Sequence, residues 1–350
     1  MSDLTIGLPV YNGMPFLEES LESLLTQTDG DFKIFAIDDG STDAGLKYLL
    51  SIRDARLRVV TQPNRGLTFT LNRMLQEVDT PWLMRHDADD IALPGRVAAT
   101  KLAIKQFPHA AMFYFEARYY QDGRSVAAFR TTRATPEELR KITADGYLPA
   151  ICHPTVALNV AKVVEVGGYR FDLHVEDLDL WWRMALEYDV QYIPEVVTYF
   201  RHNTASVSTS NLEAQSINAL YVQYLLLSRL HGWPPLTYDQ VRAKLQDLVD
   251  RPRLNFRSQT RLANISYAQR DYWKAFRHLA RAAIASPSAL AKRALYEIRH
   301  RDIVFNGENP QMFLRDRQSL WPLVPASETS LKSALSVSEK ETRASGDDSL

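Results

Sequence analysis

Two observations predict an α/β protein built on a mostly parallel, doubly wound sheet with a helical appendage at its C-terminal end. Over the first hundred residues, short apolar runs of strand character alternate with amphipathic helical ones. Four such strand-helix units follow one another with no internal repeat of fixed period, which excludes a solenoid and favours parallel crossovers. The first unit pairs "LTIGLPV" with "PFLEESLESLLTQT", whose Leu17, Leu21, Leu24 and Leu25 recur at helical spacing. The second pairs "FKIFAI" with "STDAGLKYLLSI", for which Ser41 is the expected N-cap. "LRVVTQ" with "GLTFTLNRMLQEV" and "PWLMRH" with "LPGRVAATKLAIKQF" complete the series. After about Ser210 the composition turns helical, through "AQSINALYVQYLLLSRL", "YDQVRAKLQDLV", "RLANISYAQRDYWKAFRHLARAAIAS" and "SALAKRALYEIR". The third of these has the look of one tetratricopeptide-type helical pair. The expected organisation is an α/β domain over 1–210, a helical appendage over 211–325 and a polar, Ser-rich, disordered tail over 326–350.

At 350 residues and 45% hydrophobic content the chain can bury a large core. Its 41 Lys and Arg against 42 Asp and Glu give a formal net charge of -1, so no global field draws it to nucleic acid. One cysteine, Cys152, cannot form an internal disulfide, and the N-terminus shows no basic region followed by an apolar core. No apolar run approaches the roughly 20 residues of a membrane span. The expectation is a cytoplasmic protein.

In doubly wound sheets, ligands bind beyond the carboxyl ends of the strands. There the first strand delivers "PVYNG", the second Asp38 and Asp39, and the fourth "HDADD" with Asp87, Asp89 and Asp90. One carboxylate can cap a helix, but three within four residues repel unless a cation binds them or their pKa values rise. A hard divalent ion, Mg²⁺ or Mn²⁺, that bridges two phosphates is the economical partner, and the remaining acids could accept hydrogen bonds from a base and a ribose. The pattern therefore points to a nucleoside diphosphate compound. There is no G-x-x-x-x-G-K-[ST] loop, and "GLPVYNG" is not a G-x-G-x-x-G fingerprint, so P-loop phosphotransferases and dinucleotide oxidoreductases lack support.

Seven stretches, "TIGLPVYNG", "QTDGDFKIFAIDDGSTD", "QPNRGLTFTLN", "RHDADDIALPGRV", "HPTVALNVAKVVEVGGYR", "EDLDLWWRM" and "YFRHNTASVS", occur in an order that resembles family 2 glycosyltransferases of the GT-A fold over roughly residues 4 to 208. The resemblance implies transfer of a sugar from a nucleotide sugar donor, usually with inversion, to a glycan or lipid-linked acceptor, with a metal held by a D-x-D motif. That motif is similar to Asp87-Ala88-Asp89, with Asp90 adjacent. Pro9, Tyr11, Asn12, Asp38 and Asp39 match the nucleoside pocket, and Asn64, Arg65 and Gly66 the phosphate-side loop. Asp177, beside Glu176, resembles the general base. The competing reading of Glu176, Asp177 and Asp179 is that acids at a helix N-terminus merely complement its dipole.

Weaker candidates are His153 and Trp181 beside the acceptor and His202 as a further metal ligand. Their competing readings are a structural histidine, a core tryptophan and a solvated loop histidine. The aromatic run "MFYFEARYY" reads first as a buried strand. A nucleotidyltransferase and an inactive sugar-binding or scaffold protein are the alternative functions. The first would carry a basic Gly-rich loop after the first strand, where "YNGMPFLEES" has none; the second is disfavoured by the complete set of acids. From Arg242 to Arg301 basic residues far outnumber acidic ones, which suggests weak peripheral contact with an anionic membrane surface. Sugar, acceptor and oligomeric state are not legible.

Overall fold

The computed structural model describes residues 2–121, 123–171, 174–201, 212–291 and 311–312. The four expected strand-helix units form: β1 (Leu4–Val10) and α1 (Phe16–Leu25), β2 (Lys33–Asp38) and α2 (Gly45–Ser51), β3 (Leu57–Thr61) and α3 (Leu67–Glu77), then β4 (Trp82–Arg85), a short β5 (Ile91–Ala92) and α4 (Arg96–Gln106). The chain continues through β6 (Met112–Gln121), β7 (Arg124–Ala128), α5 (Pro136–Ala144), β8 (Leu148–Pro149), a 3₁₀ turn (His153–Thr155), β9 (Ala157–Asn159), α6 (Val160–Glu165), α7 (Glu176–Glu187) and β10 (Val190–Arg201). Helices α8 (Leu212–His231), α9 (Tyr238–Asp247), α10 (Arg251–Ala268) and α11 (Tyr272–Ala285) follow, and β11 (Gln311–Met312) pairs with β8.

Nine strands form one sheet in the order β3-β2-β1-β4-β9-β6-β10-β5, with β7 on β6. The first four strands are parallel, as expected. Beyond them β9 inserts antiparallel to both β4 and β6, β10 runs parallel to β6, and β5 pairs antiparallel with β10, so that half of the sheet is mixed. The apolar alternation of β1 and β2 explains the layering. Leu4, Ile6, Leu8, Ile34 and Ala36 join α1 and α4 in one core, while Phe35 and Ile37 join α3 and α7 in the other.

Strand order reverses between β1 and β4, the point where ligands lodge in such sheets. The β1–β4 ladder stops at Gly7 opposite Arg85, so Pro9, which has no N–H, faces no strand there. "MFYFEARYY" is the expected strand, with Met112 to Phe115 almost wholly inaccessible. Helix α2 starts later than expected, behind Ala44, and Ser41 does not cap it; the Ser41 hydroxyl instead accepts the Asn12 N–H at 2.9 Å.

The helical appendage divides differently from the sequence reading. Helix α8 shares a core with α3 and α7 through Leu220, Tyr224 and Leu226, and Gln223 Nε2 donates to Gly146 O at 2.8 Å. It is therefore part of the α/β body, whereas α10 and α11 pack on each other, with His278 Nδ1 and Gln259 Oε1 at 2.8 Å. Most of "SALAKRALYEIR" and the tail over 326–350 lie outside the described residues.

Candidate active site

Where β2 ends, two adjacent carboxylates are buried, and the donors that make this tolerable come from the chain itself. Asp38 accepts from Thr61 Oγ1 at 2.8 Å and from the Ser41 N–H at 3.2 Å. Asp39 accepts from Gln62 Nε2 at 2.7 Å and from the N–H groups of Arg65 and Gly66, both at 2.9 Å. Gly66 is the N-cap of α3, so Asp39 lies against the positive end of that helix. Asp39 thus holds the loop through Arg65 and Gly66, while Asp38 fixes the end of β2 through Thr61 and Ser41, a structural role beside any contact with a base or a ribose. Gly40 lets the two loops touch, because at φ 75° a Cβ there would lie 2.7 Å from Asn64 N. Asn12, at φ 50°, ties β1 to the same assembly by accepting the Thr42 N–H at 2.8 Å. Tyr11 is 55% exposed, and the Arg65 guanidinium, over Phe69 at 3.4 Å from the ring centre, is exposed as well. Pro9 is buried in β1 and can only shape the crevice.

Beyond β4 the three acids separate by role. Asp87 and Asp89 are partly exposed, whereas Asp90 is fully buried, with Oδ1 accepting the Arg201 N–H at 2.8 Å. Burial, and then the charges of Asp89 and Asp87, push the Asp90 carboxyl well above its usual range. Asp90 Oδ1 therefore ties the loop to the end of β10, while its buried Oδ2 has no hydrogen-bond partner among the described residues. Burial and then Asp87 push Asp89 up to about 6, so a cation beside it would favour its ionised form. Among the described residues no group of three His, Cys, Asp or Glu converges to hold a metal ion. Mg²⁺ or Mn²⁺ commonly takes one or two carboxylates and completes its shell with substrate phosphates and water, so Asp87 and Asp89 as hard oxygen donors fit that pattern. His202 lies outside the described residues.

Behind the acids sits Arg85. Its side chain is 3% exposed, its Nη2 meets Asp87 Oδ1 at 2.5 Å, and its Nε and Nη1 have no hydrogen-bond partner among the described residues. Below it runs a hydrogen-bonded chain, in which Arg96 Nη1 lies 2.9 Å from His86 Nδ1, His86 Nε2 lies 3.1 Å from Ser20 Oγ, and Ser20 donates to Asp87 O at 3.0 Å. Burial, followed by the charges of Arg96 and Arg85, holds His86 well below its usual range, so Nδ1 accepts and Nε2 carries the proton.

The N-terminus of α7 brings the second acidic pair toward the same cation. Arg85 and Asp87 both act on Glu176 and Asp177, one lowering and the other raising their pKa values. Burial, and next the charge of Asp177, push Glu176 up to about 8; burial pushes Asp177 up to about 6. At neutral pH the pair divides into an ionised Asp177, which remains partly exposed, and a protonated, buried Glu176. His153 Nδ1 is 3.8 Å from Glu176 Oε1, and its Nε2 is 3.0 Å from the Tyr169 hydroxyl.

Residues 5–167 match the model of glycosyl transferase family 2. An uncharacterized glycosyltransferase of Haemophilus influenzae is 30% identical over 208 residues, which cover 58% of this chain and 76% of that protein. The chain belongs to glycosyl transferase family 2. The teichoic acid poly(glycerol phosphate) polymerase of Staphylococcus epidermidis is 27% identical over 248 residues, spanning 64% of this chain but 32% of the polymerase. S. aureus TarS 1-349, solved in complex with UDP-GlcNAc, superposes with a TM-score of 0.51 over 79% of this chain and 90% of that one, at 16% identity. The shared fold is GT-A.

In this glycosyltransferase, Trp181 is wholly buried and meets His153 edge-on at 5.5 Å between ring centres. It is a core residue with no exposed face to offer an acceptor, and His153, 10% exposed, lies beyond hydrogen-bond distance of Glu176. Asp179 is also structural. Its two oxygens take Arg170 at 2.7 and 2.9 Å and Arg183 at 2.7 and 3.0 Å, and Arg183 in turn donates to Val166 O and Gly168 O. This knot joins α7 to the glycine loop before it, which sets where Glu176 and Asp177 begin. The sequence reading passed over Arg85, although a basic residue ending a strand two positions before three acids was the available signal.

Proposed function

We propose that this glycosyltransferase moves a sugar with inversion from a nucleoside diphosphate sugar, UDP-linked, to a hydroxyl of a glycan or lipid-linked acceptor in cell-surface polysaccharide synthesis. The observation that carries the reading is the convergence of two acidic pairs, Asp87 with Asp89 and Glu176 with Asp177, on one buried cation, Arg85. UDP-GlcNAc in TarS and the activity named for the teichoic acid polymerase support the donor and the acceptor class.

Tyr11 stacks on the base, and Arg65 at the start of α3 meets the diphosphate. Asp87 and Asp89 would hold Mg²⁺ or Mn²⁺, which when bound would supply positive charge to the leaving diphosphate. Asp177, ionised at neutral pH, takes the proton of the attacking hydroxyl, a role worth about 10²- to 10⁴-fold in rate. Glu176, kept neutral by burial, adds no second charge to repel the diphosphate. No covalent sugar-enzyme intermediate forms, since the hydroxyl attacks directly.

The protein is incubated with a panel of nucleotide sugars and Mn²⁺, and nucleoside diphosphate release is measured in the presence of glycan or lipid-linked acceptors. Release from one donor that Asp89→Ala abolishes supports the reading. Pyrophosphate release from a nucleoside triphosphate, or no turnover with any donor, would overturn it.

A further inference from the structure

Helix α11 carries apolar residues on two faces, and only one of them is covered. Ala275, His278 and Ala282 turn inward onto α10 and are buried. On the outward side, Tyr272, Phe276 and Leu279 share a stripe with Trp273 and Ile284, its three aromatics being 61% exposed at Tyr272, 68% at Trp273 and 60% at Phe276. Ile284 is 82% exposed, and Tyr267 of α10, itself 67% exposed, extends the patch to Tyr272 with ring centres 5.6 Å apart. Trp273 and Phe276 stack at 5.7 Å and 18°. Large aromatic and branched side chains are thus held in water together, where burying one is ordinarily worth a factor of ten or more.

The charge around this patch is one-sided. Residues 251–285 contain eight basic side chains and a single acid, Asp271. Asp271 is engaged as the N-cap of α11, accepting the Lys274 N–H at 2.9 Å. By helical position Arg277, Arg281 and Lys274 flank the apolar stripe along one edge, next to Trp273 and Ile284. An aromatic and aliphatic face bordered by cations is the make-up of a helix that lies in a membrane interface. A second copy would bring the same cations against themselves. The stretch 286–301 that follows adds Lys292, Arg293, Arg299 and Arg301 against one acid, Glu297.

We propose that the outward face of α11, with Tyr267, docks the enzyme on an anionic lipid surface, its aromatic stripe entering the headgroup layer while Lys274, Arg277 and Arg281 meet lipid phosphates. No helix among the described residues is long and apolar enough to cross a membrane, so this contact is peripheral. The inference stands apart from the catalytic reading, since it uses none of the site residues.

The full-length protein is sedimented with vesicles of phosphatidylglycerol and phosphatidylcholine, or of phosphatidylcholine alone, at low and high salt. Binding to the anionic vesicles at least tenfold tighter than to the neutral ones, weakened by salt, is expected, together with a blue shift in tryptophan emission that Trp273→Phe reduces. Trp273→Ser with Phe276→Ser lowers partitioning at least tenfold. Lys274→Gln with Arg277→Gln lowers it about fivefold per charge removed. All these variants keep the melting temperature and release of nucleoside diphosphate from a soluble donor unchanged. No binding to anionic vesicles, binding equal in the serine variant, a lower melting temperature in that variant, or a dimer that it dissolves would each overturn the proposal. The last two results would mean that the chain itself or a second copy covers the face.

Discussion

Asp39→Asn separates two roles that a carboxylate at the end of β2 can have. In this structure Asp39 holds a loop, with three donors converging on its two oxygens: Gln62 Nε2, Arg65 N and Gly66 N. The asparagine keeps one accepting oxygen, and its amide nitrogen must confront at least one N–H of the set. Leaving a buried donor unpaired costs about 1 to 3 kcal/mol, and each surviving bond falls from charge-assisted to neutral, a further loss of about 1 kcal/mol. The sum is about 3 kcal/mol, and at about 2 to 4 °C per kcal/mol for a body of this size the melting temperature should fall by about 6 to 12 °C in the absence of any nucleotide. Nucleotide affinity should fall as well, because Arg65 and Gly66 lose their seat. The assay is thermal melting of the nucleotide-free protein beside calorimetric titration with UDP. An unchanged melt with affinity reduced more than tenfold would refute the loop-holding argument and make Asp39 a direct ligand of the nucleoside.

Asp177→Asn should bind donor as wild type does yet turn over roughly 10²-fold or more slowly, read by single-turnover transfer. In the wild type, burial raises the Asp177 pKa to about 6, so the base is protonated and idle below that value, and kcat/KM should rise through pH 6 toward neutrality. Arg85→Met removes a charge that lowers the pKa values of Glu176 and Asp177, so the acidic limb of the same profile should move to higher pH; a limb that stays in place would show that Arg85 does not face the pair. Asp179→Ala strands Arg183, which is nearly inaccessible, together with Arg170, and should destabilise the protein by about 3 to 5 kcal/mol in urea denaturation, whereas a loss below about 1 kcal/mol would remove Asp179 from the knot.

Local pattern was enough to reveal the strand-helix alternation, because apolar residues at period 2 or 3.6 report which face an element buries before any partner is known. It was also enough to gather Asp38, Asp39, Asp87 and Asp89 at one edge of the sheet, since parallel strands joined by helices all end on the same side. Pattern could not reveal that β9 runs antiparallel between β4 and β6, because three residues, Ala157–Asn159, carry too little periodicity to declare a direction.

What each acid does was decided by tertiary structure alone. Asp39, Asp90, Asp177 and Asp179 are the same side chain in the sequence, and only the neighbours distinguish them. A helix N-terminus and Gln62 turn Asp39 into a loop clasp, the Arg201 N–H makes Asp90 a strut, and two arginines make Asp179 a knot. Asp177 accepts the adjacent Leu178 N–H at 2.7 Å and keeps some exposure, which suits the proton-accepting role we propose for it. The reason is physical: a carboxylate's role is set by the donors and the dielectric around it, and those come from residues dozens of positions away, brought together only when the sheet closes.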